Sequence, residues 1–108
     1  MLDWSRVEEL REEVGEDAFG EVVELFLEEV GEAIGALANG ESCSEENMHF
    51  IKGAALNLGF QDLANLCQSG ESLARDGAAD QIDLPKIVAC FGDTRDAFMT
   101  KATAEGVI

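Results

Sequence analysis

The chain has 108 residues, 46% of them hydrophobic, and carries 23 Asp and Glu against 7 Lys and Arg for a formal charge of -16. That length supports one domain with a modest core and excludes a second. So acidic a surface repels nucleic acid and anionic lipid, and no long apolar run or signal-peptide pattern opens the chain, so the expectation is a cytoplasmic protein with no nucleic-acid or membrane partner.

The first helix is expected from about Asp3 or Ser5 to Val14. Ser5-Arg6-Val7-Glu8 matches a capping box, Gly15 closes the helix, and Trp4, Val7, Leu10 and Val14 form its apolar stripe. Glu16 and Asp17 favour the start of a second helix through the helix dipole. Phe19, Val22, Val23, Phe26, Val30, Ala33 and Leu37 then continue a helical stripe to about Ala38, where Asn39-Gly40 stops it. Ser44 is placed to cap a third helix that ends at Gly59. The fourth is expected from about Gln61 to Asp76, with Leu63, Leu66, Cys67, Gly70, Leu73 and Ala74 inward and Gly77 after it. Asp83-Leu84-Pro85 opens the last, with Ile87, Val88, Phe91, Phe98 and Ala102 inward as far as about Glu105. No stretch alternates with period two. The pattern predicts an all-α fold: an antiparallel four-helix bundle with a short additional N-terminal helix.

The third helix holds the only histidine in the chain. At about 100° per residue, Ser44, Met48, Ile51, Ala55 and Leu58 share one face, and His49, Lys52, Gly53 and Leu56 the opposite one. His49 is therefore expected to point outward, where a neutral imidazole, ordinarily titrating near ~6.5, is a usable nucleophile. Lys52 lies one turn on. Glycine inside a helix costs about 0.5 to 1 kcal/mol relative to alanine, so Gly53 suggests a close approach to the backbone, either by another molecule or by a neighbouring helix. Counting outward from the turn at Gly59-Phe60 places Glu71 at the height of His49, where it can accept a hydrogen bond from Nδ1. Gln68, one turn away, competes for that role, and a solvated helix face is the alternative for both.

Met48-His49-Phe50-Ile51-Lys52-Gly53-Ala54-Ala55-Leu56-Asn57-Leu58-Gly59-Phe60 resembles the signature of the histidine-containing phosphotransfer (HPt) domain. The resemblance runs through Leu63, Leu66-Cys67 and Glu71, and back to Leu2-Asp3-Trp4 and Phe26-Leu27-Glu28-Glu29, so it implies a single HPt domain over residues 1–108. It implies a phosphorelay intermediate in which His49 is the phosphoacceptor, Lys52 holds phosphoryl oxygens, Gly53 leaves room for the partner and Glu71 orients the ring. Phe50 belongs by resemblance to an apolar surface that docks a receiver domain, with Leu56 and Leu25 as further docking candidates. The implied partners are response-regulator receiver domains and/or a hybrid histidine kinase, with Mg²⁺ carried by the receiver and a monomeric, free-standing carrier on this side.

No phosphate loop or kinase signature is present, so the chain reads as a stoichiometric carrier and not an enzyme, with no cofactor of its own. Cys43, Cys67 and Cys90 are far apart and read as free packing thiols, and with one histidine they give no metal-ligand spacing. The competing reading is an acidic helical docking or adaptor module that accepts no phosphate.

Overall fold

The computed structural model describes residues 2–108 and contains five α-helices: α1 (Trp4–Val14), α2 (Glu16–Ala38), α3 (Glu45–Asn57), α4 (Gln61–Arg75) and α5 (Leu84–Ala104). A single 3-10 turn at Ala79–Gln81 joins the last two, and no β-strand occurs among the described residues. α2 packs on α3 and α5, α4 packs on the same two helices, and α1 lies against α2 and α3.

Local chemistry sets the helix ends. Ser44 Oγ accepts from Asn47 N at 3.0 Å to open α3, and Asp83 Oδ1 accepts from Lys86 N at 3.1 Å to open α5, with Pro85 in its first turn. α3 ends where Phe60 N reaches back to Ala55 O at 2.8 Å across Gly59, whose φ is +74°. A side chain at Gly59 is doubly opposed, because its Cβ would also collide with the Asp3 carbonyl. The same backward bond closes α2, α4 and α5.

Of the two starts expected for α1, the structure takes the one at Asp3, and the Ser5 capping box does not form. Ser5 is already inside the helix, and Asp3 is the cap, its Oδ1 facing Arg6 N at 3.4 Å. The cause is tertiary. Asp3 N donates to Gly59 O at 2.7 Å, and Leu2 bridges to Phe60, so residues 2 and 3 are pinned to the α3–α4 turn and the helix begins directly after them.

Phe19, Phe60, Phe98, Met48, Ile51, Leu58, Leu63 and Ile87 fill the core, each contributing roughly 1.5–3 kcal/mol on burial. Phe98 meets both Phe60 and Trp4 with ring centroids 5.8 and 5.9 Å apart, which ties α1 to α5. On three helices the inward positions differ from the predicted stripes. Ile34 is buried where Ala33 was expected to lead; Ala64 and Glu71 are buried on α4; and on α5 Val88 is exposed while Thr94 is buried. Val88 lies about 100° around from Ile87, whereas Ile87, Phe91, Thr94, Phe98 and Ala102 keep one helical phase. The phase decided burial there, ahead of hydrophobicity. Cys67 is fully buried, and burial pushes its thiol up to about 12. Among the described residues, no helix is long and apolar enough to cross a membrane.

Candidate functional site

α3 and α4 pack tightly at Met48 and Gly70. A Cβ on Gly70 would sit 2.7 Å from Met48 Sδ, so glycine is what allows the two backbones to come together there. The next residue on each helix is His49 and Glu71. Close packing at the glycine therefore sets the histidine beside the carboxylate.

His49 Nδ1 lies 3.1 Å from Glu71 Oε2. The imidazole side chain is 69% exposed, while that of Glu71 is only 8% exposed. Lys52 Nζ, on the same face of α3, reaches Glu71 Oε2 at 3.0 Å and donates to Gln68 Oε1 at 3.0 Å. Behind the carboxylate, Arg75 Nη2 donates to Glu71 Oε1 at 3.4 Å, and Arg75 Nε donates to Glu45 Oε2 at 2.6 Å.

Burial alone would push the Glu71 carboxyl up. The Lys52 ammonium hydrogen-bonded to it, with His49 adding to the effect, holds it below the usual carboxylate range instead. Glu71 is thus ionised and can only accept. A proton between it and the ring belongs to His49 Nδ1, so in the neutral imidazole the lone pair is on Nε2.

The structure brings together His49, Lys52 and Glu71, and it separates the two candidates for orienting the ring. Glu71 bonds the imidazole, while Gln68 supports Lys52. A solvated face for Glu71 does not survive, since its side chain is 8% exposed, and Lys52 is already paired with it. Around Gly53 an added Cβ would meet nothing within 4 Å, so helix packing does not require this glycine and its open side faces outward. Phe50 and Leu56 are exposed on α3, and Leu25 is exposed on α2. Arg75 and Glu45 were not anticipated. The four-residue spacing of Glu71 and Arg75 on one helix was the available signal for the first of them.

The family model described as "Hpt domain" matches residues 21–97, which include His49 and each of the residues around it. The chain belongs to the Hpt domain family. No curated protein and no solved structure matched it. Hpt domains are phosphocarriers of two-component signalling, working with receiver domains or kinases, and this Hpt domain presents one exposed imidazole above a buried, charge-compensated carboxylate.

Proposed function

We propose that this Hpt domain is a phosphorelay intermediate that accepts a phosphoryl group on His49 from a receiver aspartyl phosphate and passes it to another receiver. The exposed His49, with Nδ1 held by an ionised Glu71, is the observation that carries the reading. Nε2 attacks phosphorus, the N–P bond forms, and the P–O bond to the aspartate breaks as the carboxylate leaves. The ring keeps its Nδ1 proton, and the positive charge that develops on it lies against Glu71. A carrier of this kind needs no ATP site and no metal of its own, because Mg²⁺ arrives with the receiver.

Lys52 spends two of its three N–H donors on Glu71 and Gln68, so one is left for a phosphoryl oxygen. Gly53 leaves the backbone open to the partner, and Phe50, Leu56 and Leu25 supply apolar docking area. The scaffold for this chemistry is an antiparallel four-helix bundle of α2 to α5, working as a cytoplasmic monomer.

The test is phosphotransfer from a labelled, phosphorylated receiver to this protein and to His49→Gln, with acid and alkali treatment of the product. Acid-labile, alkali-stable label that is absent from His49→Gln is the expected result. Receivers that bind without labelling the protein would replace the carrier by a docking module.

A further inference from the structure

The two oxygens of Glu71 are held from different sides. Oε2 takes His49 and Lys52, and Oε1 takes Arg75, whose guanidinium also grips Glu45 in the first turn of α3. We propose that Arg75 is a positioning residue for phosphoryl transfer, a strut from the start of α3 to the rear oxygen of Glu71 that fixes the carboxylate plane and, through it, the His49 tautomer. The inference rests on His49 being the phosphoacceptor.

A carboxylate bonded through one oxygen alone turns about its last bond, and Lys52, also bound to Gln68, grips Glu71 only at Oε2. A second anchor on Oε1 removes that freedom. The guanidinium suits this task, because Nε and Nη2 are parts of one rigid plane and reach Glu45 and Glu71 together. Lysine offers a single nitrogen. Charge adds to the geometry. Lys52 and Arg75 pair with Glu71 and Glu45, so loss of Arg75 makes the site more negative where a phosphoryl dianion must arrive. The Arg75 side chain is 55% exposed, and exposed ion pairs contribute little to stability, so its removal is not expected to unfold the domain.

The experiment reads the His49 ring nitrogens by long-range ¹H–¹⁵N correlation in wild type, Arg75→Gln and Arg75→Lys, above the range in which imidazole titrates. His49 is the only histidine, so its signals are unambiguous. Wild type is expected to show the Nδ1–H tautomer. Arg75→Gln should shift population toward Nε2–H and slow phosphoryl uptake from a phosphorylated receiver by about 3- to 10-fold, at an unchanged melting temperature, with Arg75→Lys in between. Ring signals that stay as in wild type in Arg75→Gln overturn the proposal, whether or not uptake falls. A wild-type protein that takes no phosphoryl group, while Arg75→Gln still shifts the tautomer, removes the carrier reading and leaves Arg75 as the residue that sets the ring.

Discussion

Glu71 is the residue on which the site's electrostatics turn. Its carboxyl is depressed in the folded protein, first by the hydrogen bond from Lys52, so folding favours the ionised form. The stability this contributes is fully present above the carboxyl's unfolded value, near ~4.3, and is lost as pH falls through the lower folded value. Glu71→Gln lacks that contribution at every pH. In denaturant melts carried from neutral pH into the acid range, the advantage of wild type over Glu71→Gln should therefore shrink below about pH 4. A difference that stays constant through that range would mean that Glu71 is not charged in the folded state, and the assignment of the Nδ1 proton would fall with it. The glutamine keeps an acceptor oxygen for His49, so Glu71→Ala is expected to be the more damaging change, since it takes the acceptor away from both His49 and the half-buried Lys52.

At the scale of elements, the packing of α3 on α4 predicts opposite outcomes for one substitution at two glycines. Gly70→Ala drives a methyl to 2.7 Å from Met48 Sδ and 3.3 Å from its Cγ, and Met48 is fully buried and has little room to yield. Overpacking of this kind costs about 1–3 kcal/mol, only partly offset by the better helix propensity of alanine. Gly53→Ala meets nothing, so it should stabilise by about 0.5–1 kcal/mol while slowing transfer from a docked receiver. Urea melts of both variants check the signs, and a destabilised Gly53→Ala would show that the glycine serves the fold after all. The elements themselves were largely legible in the sequence. Helical periodicity, the Ser44 and Asp83 caps, and glycines at the helix ends are local signals that tertiary structure here leaves in place. The sequence left Asp3 and Ser5 both open as the start of α1, because the choice depends on a bond from Asp3 to Gly59, more than fifty residues away. Counting from the α3–α4 turn gave the height of Glu71 but not its depth, which follows from the Met48–Gly70 approach. Thr94 was missed for a simpler reason, since a stripe drawn through apolar residues passes over a threonine that the helix phase buries.

Across the whole molecule, 16 unbalanced negative charges are spread over a body 43 × 21 × 20 Å. Two of the seven basic residues, Lys52 and Arg75, sit at the site and pair with Glu71 and Glu45, so His49 stands beside paired charges in an acidic surface. With charges screened over roughly 8 Å at physiological salt, that local pairing governs what an approaching phosphoryl group feels more than the distant carboxylates do. Phe50 and Leu56 are exposed on the same helix as His49. Of the two ring nitrogens of His49, Nδ1 is the one that lies against Glu71. The most direct measurement is heteronuclear NMR of the ¹⁵N-labelled domain after it has been phosphorylated by a receiver, reading which nucleus couples to phosphorus. Coupling to Nε2 of His49 is predicted; phosphorus on Nδ1, or on any residue other than His49, would contradict it.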